Sequence, residues 1–148
     1  MDGIVFIGLQ ASGKSSFFLE HFYKTHLRIN MDMLKTRNRE KILFKACLEA
    51  KQPVVIDNTN PTKVERKIYI EEFIANRFNV TGYYFSSSIE QCLTRNVMRE
   101  GKEKVPDVAI KGTYNKLELP DYSEGFNELF YVTINNGSFI IEDWKHEV

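Results

Sequence analysis

One eight-residue segment constrains this chain more than any other feature: Gly8-Leu9-Gln10-Ala11-Ser12-Gly13-Lys14-Ser15, which matches the pattern G-x-x-x-x-G-K-[ST]. The segment lies between a short apolar run at residues 4–7 and a helical pattern over residues 12–25. Glycines at these spacings let backbone N–H groups surround phosphate oxygens, and the following helix N-terminus adds partial positive charge. In this pattern the lysine reaches the β- and γ-phosphates and the serine hydroxyl ligates Mg²⁺. The segment, called the phosphate loop below, predicts a nucleoside triphosphate site.

We expect the phosphate loop and the first turn of its helix to bind ATP. The residues predicted to contact this cofactor are Gly8, Gln10, Ala11, Ser12, Gly13, Lys14, Ser15 and Ser16. The alternative is a glycine-rich turn without chemistry. That alternative requires the pattern to arise by chance, which composition allows in roughly one chain in a few hundred of this length.

Apolar runs alternate with helical patterns along the chain. The predicted strands cover residues 4–7, 27–30, 54–56 and 80–85, and the predicted helices cover 12–25, 33–51, 62–77, a segment opening at Ser88, and 106–117. This alternation is typical of a mainly parallel α/β sheet flanked by helices, here in one domain over residues 1–148. Asn136-Gly137 lies between two further apolar runs and predicts a C-terminal β-hairpin that extends one edge of the sheet.

The helical periodicity also predicts which side chains face the sheet. These are Leu34, Ile42, Leu43, Ala46, Cys47 and Ala50 in the helix over 33–51, and Val64, Ile68 and Ile74 in the helix over 62–77.

Composition excludes several classes of protein. Twenty Lys and Arg balance twenty Asp and Glu, so a globally basic nucleic-acid binder is excluded. No apolar run approaches the length of a membrane span, and the N-terminus has no features of a signal peptide. Cys47 and Cys92 are far apart, and His21, His26 and His146 show no metal-ligand spacing, so we expect no zinc site. These features favour a cytoplasmic protein without membrane partners.

The charge is unevenly distributed along the chain. Residues 24–51 carry eight basic and three acidic groups, and residues 95–116 carry six basic and three acidic groups. Residues 117–148 carry seven acidic groups and one lysine. The basic stretches are either solvated helix faces or the sides of a cationic groove for a polyanion.

Acidic residues follow two predicted strands, at the sheet edge where ligands of α/β proteins gather. Asp32 follows the strand over 27–30 and could accept a proton from an attacking hydroxyl, but it could equally cap the next helix. Asp57 follows the strand over 54–56 and could hold Mg²⁺ together with Ser15 or through water. The alternative for Asp57 is a turn-forming role.

Arg95 and Arg99 lie four residues apart, on one face of a predicted helix. They precede a Gly- and Lys-rich segment at residues 100–105 that we expect to be mobile. Two guanidinium groups beside such a segment indicate a lid, over about residues 95–106, that closes on the transferring phosphates. Two exposed helix arginines without function are the alternative.

Several of these elements together resemble the polynucleotide 5′-hydroxyl kinases. The matching elements, in order, are the phosphate loop, Asn30-Met31-Asp32, residues 55–61 with the string Ile-Asp-Asn-Thr-Asn-Pro, and the arginine-containing lid. The resemblance extends over about residues 3–135 and implies a P-loop kinase-type fold. It also implies transfer of the γ-phosphoryl group of ATP to the 5′-hydroxyl of DNA or RNA, with Mg²⁺.

The resemblance also implies roles for individual residues. Lys14 and Ser15 bind the triphosphate and Mg²⁺, and Asp57 supports the metal. Asp32 is the general base, while Arg99 acts on the donor phosphates together with Arg95. Lys35 takes the place of an acceptor-binding arginine, and Asn60, in the Asp-Asn-Thr-Asn-Pro string, is a further acceptor-binding residue.

The sequence also departs from the family pattern. Met31 stands where an arginine is frequent, Lys35 offers a point charge instead of a bidentate fork, and no D-x-D-x-[TV] phosphatase signature occurs. The first two departures concern the acceptor class, for which a kinase of a small hydroxylated metabolite is the alternative. A non-catalytic nucleotide-binding module is a third hypothesis, and the intact set Lys14, Ser15, Asp32, Asp57 and Arg99 argues against it. The sequence leaves open whether the chain works beside separate phosphatase or ligase proteins.

Overall fold

The computed structural model describes residues 1–145, so the prediction for His146 lies outside the described residues. The strands are β1 (Asp2–Ile7), β2 (Leu27–Ile29), β3 (Val54–Ile56), β4 (Asn79–Phe85), β5 (Glu128–Asn135) and β6 (Ser138–Asp143). The α-helices are α1 (Lys14–His21), α2 (Met31–Leu34), α3 (Arg37–Ala50), α4 (Lys63–Ala75), α5 (Ile89–Val97) and α6 (Asp107–Lys116). Short 3₁₀ helices cover Gly101–Glu103 and Tyr122–Glu124.

The six strands form one sheet in the order β2-β3-β1-β4-β5-β6. Every neighbouring pair is parallel except β5 and β6, which are antiparallel. The connecting turn uses Asn136 and Gly137 at φ values of 51° and 78°, a conformation that these two residues tolerate well. The predicted parallel α/β sheet with a terminal hairpin is thus confirmed, and the carboxyl ends of β1, β2, β3 and β4 meet at one edge.

The sheet is covered on both faces because β1 is apolar on both. Val5 and Ile7 belong to a core shared with α3 and α4, whereas Ile4 and Phe6 belong to a core shared with α1. A smaller cluster of Leu9, Cys92 and Ile110 joins the phosphate loop to α5 and α6. Among the helices of residues 1–145, none combines the length and apolar character needed to cross a bilayer.

The predicted helix over residues 33–51 is in fact two helices. Lys35 adopts φ 74° and ψ −36°, which ends α2, and the Thr36 side chain accepts a hydrogen bond from the backbone N–H of Arg39, which starts α3. The predicted inward face is correct at Cys47 and partly correct at Leu34 and Leu43, which pack against the core. It is wrong at Ile42, Ala46 and Ala50, which are exposed, because α3 buries Glu40, Phe44, Cys47 and Leu48 instead.

The predicted face of α4 is wrong at all three positions, since Val64, Ile68 and Ile74 are exposed. The helix instead buries Arg66, Tyr69, Ile70 and Phe73. Arg66 is fully buried and forms a two-pronged ion pair with Glu124, at 2.8 Å and 3.2 Å, which compensates the cost of removing its charge from water. The helix packs two large rings, Ile70 and this paired arginine inward, and the three predicted apolar side chains are left outside.

Candidate active site

The phosphate loop connects β1 to α1 at the carboxyl edge of the sheet. Gly13 has φ 100° and Ala11 has φ 63°, so the backbone turns sharply twice. A Cβ atom at Gly8 would lie 2.9 Å from Ser12 Oγ and 3.0 Å from Phe85 Cβ, a spacing that only glycine accommodates. The loop is anchored by hydrogen bonds from Gly8 N to Thr59 O, at 3.0 Å, and from Leu9 N to Ser87 Oγ, at 3.3 Å.

Lys14 folds back over the phosphate loop. Its ammonium group donates hydrogen bonds to Gly8 O at 3.0 Å and to Leu9 O at 2.6 Å. Burial lowers the pKa of Lys14 to about 8, while the negative charge of Asp57 opposes this shift. A buried, incompletely compensated cation enclosed by loop carbonyls would be stabilised by a phosphate anion.

Ser15, Asp57 and Arg28 form a triad beside the loop. The Ser15 hydroxyl lies 3.3 Å from Asp57 Oδ2, within hydrogen-bond distance. Arg28 donates from Nε to Asp57 Oδ2 at 2.8 Å and from its terminal NH2 to Ser15 Oγ at 2.9 Å. The sequence placed Ser15 and Asp57 together as a predicted pair, but it did not identify Arg28. The available signal was a charged residue in the middle of an apolar three-residue strand.

Asp32 does not cap α2, although the sequence allowed that role. Asn30 caps α2 instead, because its Oδ1 accepts from Met33 N at 3.0 Å while its Nδ2 donates to Asp57 O at 2.6 Å. The Asp32 side chain is exposed, and within residues 1–145 no hydrogen bond or ion pair involves it. Its negative charge lies near enough to oppose, in small part, the lowering of the Lys14 pKa by burial.

A buried polar network fixes the start of α2. Met31 N donates to Asn58 Oδ1 at 3.0 Å, and Asn58 Nδ2 donates to Glu40 Oε2 at 3.3 Å. The Tyr69 hydroxyl donates to the same carboxylate at 3.0 Å. Burial and the neighbouring charge of Glu40 raise the pKa of Tyr69 to about 12, so the phenol keeps its proton. This network connects the helix carrying Asp32 to the core beneath it.

The two residues predicted to bind the acceptor lie in different surroundings. Asn60 is buried, and its Nδ2 donates to Phe6 O at 2.8 Å, so its side chain stabilises the turn after β3 and is not presented to a ligand. Arg66 donates to Asn60 O at 2.9 Å and holds the same turn from the other side. We therefore do not include Asn60 among the proposed acceptor-binding residues. Lys35 is exposed at the end of α2, three residues after Asp32.

The predicted lid arginines point in different directions. Arg95 reaches the phosphate loop, where it donates to Ala11 O at 3.2 Å, and Arg99 donates to Glu103 O within the lid at 3.0 Å. Asn96, to which the sequence assigned no role, is fully buried and exchanges two hydrogen bonds with the backbone of Val105, at 2.6 Å and 3.1 Å. Asn96 thus closes the lid segment into a loop. The predicted mobility of residues 100–105 stays a prediction.

The Ser15 and Asp57 oxygens suit a hard divalent cation. Mg²⁺ prefers oxygen ligands and commonly takes one or two protein side chains, with the remaining positions filled by water and substrate phosphates. The separation of 3.3 Å between Ser15 Oγ and Asp57 Oδ2 is near the distance of about 3 Å between adjacent oxygens around an ion with bonds of about 2.0–2.1 Å. Among the described residues, no cluster of three or more His, Cys, Asp and Glu side chains could hold a metal.

Comparison with known sequences identifies relatives among nucleic-acid kinases. The chain is 32% identical over 135 residues to the bifunctional polynucleotide phosphatase/kinase of Schizosaccharomyces pombe, and the match covers 85% of this chain. The same match covers 32% of that relative, so the chain spans about a third of its length. The chain is also 26% identical over 179 residues to the L-seryl-tRNA(Sec) kinase of Methanococcus maripaludis, covering 95% of this chain and 69% of the relative. No protein-family model matches the sequence.

Comparison with solved structures gives the same fold. Chaetomium thermophilum Kti12, in complex with ADP-AlF3, superposes with a TM-score of 0.66 at 17% identity, over 88% of this chain and 88% of that one. A sugar kinase from Janibacter sp. HTCC2649 superposes with the same TM-score at 15% identity, over 90% of this chain and 85% of that one, so the chain has a fold that P-loop kinases share. With the sequence similarity to the S. pombe enzyme, these findings identify the chain as a P-loop module of the polynucleotide kinase type.

Proposed function

We propose that this protein transfers the γ-phosphoryl group of ATP to a hydroxyl group, and that the acceptor is the 5′-hydroxyl of DNA or RNA. One observation carries this proposal. The carboxylate of Asp32 is exposed, has no bonded partner within residues 1–145, and follows β2 at the same sheet edge as a phosphate loop whose lysine ammonium is buried. A module that only binds nucleotide has no need of such a carboxylate.

The donor side supplies positive charge. Phosphoryl transfer spreads negative charge over the oxygens of the moving group, so positioning and electrostatics provide most of the rate enhancement. The Lys14 ammonium lies inside the phosphate loop, and Arg95 donates a hydrogen bond to the loop backbone at Ala11 O. Arg99 bonds only to its own lid segment here, so lid closure would have to bring it to the phosphates.

Mg²⁺ fits the donor side because Ser15 and Asp57 offer a hydroxyl and a carboxylate oxygen at compatible spacing. When bound, the ion supplies charge neutralisation of the phosphate oxygens. Asp57 could hold it directly or through a water molecule.

Asp32 orients the acceptor hydroxyl and takes its proton. Its carboxylate makes no hydrogen bond within residues 1–145 that would have to be broken first. The caps from Asn30 and Asn58 hold the backbone of α2, so the carboxylate has a defined location although its side chain is exposed. General-base catalysis by such a group contributes about 10²–10⁴-fold.

The acceptor class is supported by charge and by similarity. Residues 24–51 carry a local charge of +5, from eight basic and three acidic groups, and include Lys35, Arg37 and Arg39, which are exposed and follow Asp32 within seven residues of the chain. Such a surface suits the phosphates of a nucleic-acid strand. The relatives named polynucleotide phosphatase/kinase and L-seryl-tRNA(Sec) kinase are consistent with an acceptor linked to nucleic acid. A kinase of a small hydroxylated metabolite is the alternative if these basic residues form only a solvated face.

The decisive experiment is transfer of labelled phosphate from [γ-³²P]ATP to short single-stranded DNA and RNA. Oligonucleotides with a free 5′-hydroxyl should be labelled, and otherwise identical 5′-phosphorylated ones should not. Acceptor affinity should fall steeply with salt, because each neutralised phosphate contributes a slope of about −0.7 in log affinity against log salt for single strands. Labelling of a neutral sugar or nucleoside panel in preference to oligonucleotides, with a flat salt response, would favour the metabolite kinase. No transfer to any hydroxyl would reduce the proposal to nucleotide binding.

A further inference from the structure

We propose that Arg28 and a divalent cation bind the same two oxygens in turn, so that Arg28 sets the cation concentration at which the nucleotide site loads. The inference rests on the metal site of the proposed function. It adds a residue that neither the motif patterns nor the similarities point to.

The geometry places the guanidinium group between the two predicted metal ligands. Arg28 Nε lies 2.8 Å from Asp57 Oδ2, and its terminal NH2 lies 2.9 Å from Ser15 Oγ. Those two oxygens lie 3.3 Å apart, a distance that one cation could bridge. The flat fork of Arg28 therefore occupies the oxygens that the ion would need.

The two cations compete for the same acceptors. Asp57 Oδ2 already lies within hydrogen-bond distance of both Arg28 Nε and Ser15 Oγ. A divalent ion held by the same two oxygens would be repelled by the neighbouring guanidinium charge. Binding of either cation at these oxygens should therefore weaken binding of the other.

The two sides of the ion pair differ in their freedom to move. The Asp57 side chain is 1% exposed, whereas the Arg28 side chain is 27% exposed and projects from β2, the edge strand of the sheet. The Arg28 guanidinium carbon lies 6.0 Å from the centre of the Phe18 ring, which gives it a cation–π contact with α1 in this position. The partly exposed Arg28 is therefore the member of the pair that can move away from the two oxygens, while Asp57 stays in place.

Arg28 and the metal ion are thus alternative cationic partners of the buried Asp57 carboxylate. Without metal, Arg28 neutralises Asp57, and with metal the ion does so. The site should then load with cation only when the ion outcompetes the side chain, which couples metal binding to release of Arg28.

The test is direct measurement of Mn²⁺ binding by electron paramagnetic resonance, with and without ADP, on the full chain. Arg28→Gln should bind Mn²⁺ about tenfold or more tightly than the unaltered protein, because the competing charged hydrogen bonds are gone. Arg28→Lys keeps one charge without the fork and should lie between the two. The matched control is Arg77→Gln. It removes the same charge from an exposed residue just before β4, at the amino ends of the strands and away from the phosphate loop.

A second measurement does not depend on the variant being as stable as the original. Side-chain ¹⁵N–¹H spectra of the unaltered protein should show the Arg28 Nε–H resonance shift on titration with Mg²⁺, assigned through its loss in Arg28→Lys. An unshifted resonance at saturating Mg²⁺ would overturn the proposal, and so would equal Mn²⁺ affinity in Arg28→Gln and in the unaltered protein. Both readouts are independent of phosphoryl transfer. Intact metal exchange without transfer would therefore refute the proposed function alone, and intact transfer with unchanged Mn²⁺ affinity would refute the Arg28 proposal alone.

Discussion

The donor and acceptor sides of the candidate site are built in opposite ways. On the donor side, Lys14 and Asp57 are buried and each makes short polar contacts with its neighbours. On the acceptor side, Asp32 is exposed on a four-residue helix and Lys35 is exposed at its end, and Asp32 has no bonded partner within residues 1–145. The groups of the phosphate loop are held by internal contacts, whereas the acceptor side offers groups that only a ligand would engage.

This contrast has a physical explanation. A phosphate group is recognised by backbone N–H groups and fixed charges, which must be held rigidly to be effective. A helix as short as α2 gains little stability from its own hydrogen bonds, so its position depends on its caps. Asn30 and Asn58 supply these caps from the base of the helix, and the side chains beyond them face solvent.

The largest expected effect is a loss of transfer rate on substitution of Asp32, with little change on the donor side. Asp32→Asn should lower the transfer rate by about 10²–10⁴-fold, because it removes the proposed base. Stability and ADP affinity should stay nearly unchanged, since the exposed Asp32 side chain makes no bonds within residues 1–145. Single-turnover transfer, ADP calorimetry and thermal melting measure the three quantities. Glu49→Gln, an exposed acid on α3, is the matched control. Transfer at the original rate would show that Asp32 is not the base.

The equivalent Asp-to-Asn substitution on the donor side should lower the stability of the protein, in contrast to Asp32→Asn. Asp57→Asn leaves Arg28 without its anionic partner in a mostly buried position. We expect the free energy of unfolding to fall by about 1–3 kcal/mol, below the value of about 3–5 kcal/mol for fully buried pairs, because Arg28 is partly exposed. Urea unfolding of Asp57→Asn beside Asp32→Asn gives the comparison directly. Equal stability of the two variants would contradict the view that only the donor side is held by internal charge.

A smaller effect follows from the lowered pKa of Lys14. The pKa of about 8 in the folded protein lies below the ordinary value of 10.5 because burial disfavours the charged form. A bound polyphosphate favours the charged form, so nucleotide binding should take up protons between about pH 8 and 10.5. Without nucleotide, the unfolded chain binds more protons than the folded one over the same window, so the contribution of Lys14 to stability rises with pH there.

The measurement is ADP calorimetry at pH 8.5 in two buffers of different ionisation enthalpy. Uptake should approach about 0.7 proton for each ADP, and affinity should fall as the pH rises above 8. Lys63→Met, which removes an exposed lysine, should keep the uptake. Binding without proton uptake would show that Lys14 is already fully charged before the nucleotide arrives.

The sequence predicted the parts of the site that depend on local backbone. The phosphate loop needs glycine at defined positions, so its pattern is visible in a single segment, and the strand ends carrying Asp32 and Asp57 were also located correctly. Arg28 was missed as a site residue because its contacts with Ser15 and Asp57 join residues 13 and 29 positions away along the chain. Periodicity within one segment carries no information about such partners.

The errors in the fold have the same origin. Val64, Ile68 and Ile74 form a plausible apolar face of α4, but the charge of the buried Arg66 is neutralised by Glu124, 58 residues further on. The interruption between α2 and α3 depends on a positive φ at Lys35, a conformation for which lysine gives no sequence signal. Both features are decided by tertiary contacts and caps that override local propensity.

Lys35 offers the smallest and most selective test of the acceptor side. Its φ of 74° is costly for a residue with a Cβ, so Lys35→Gly should stabilise the protein by about 0.5–1 kcal/mol after the greater chain entropy of glycine is allowed for. The same change removes a charge beside Asp32. Affinity for a 5′-hydroxyl oligonucleotide should fall a few-fold, and the salt slope should become shallower by about 0.7.

The matched control for this prediction is Lys51→Gly. Lys51 also ends a helix at positive φ, 58°, but it lies before β3, at the opposite edge of the sheet from the phosphate loop. Lys51→Gly therefore removes an equal charge from another helix end at positive φ without touching the acceptor side, so it controls for charge and not for the change in stability. Loss of oligonucleotide affinity in Lys35→Gly but not in Lys51→Gly would place the acceptor strand beside α2. Equal oligonucleotide affinities in the two variants would show that Lys35 forms only part of a solvated surface, and would favour a small acceptor.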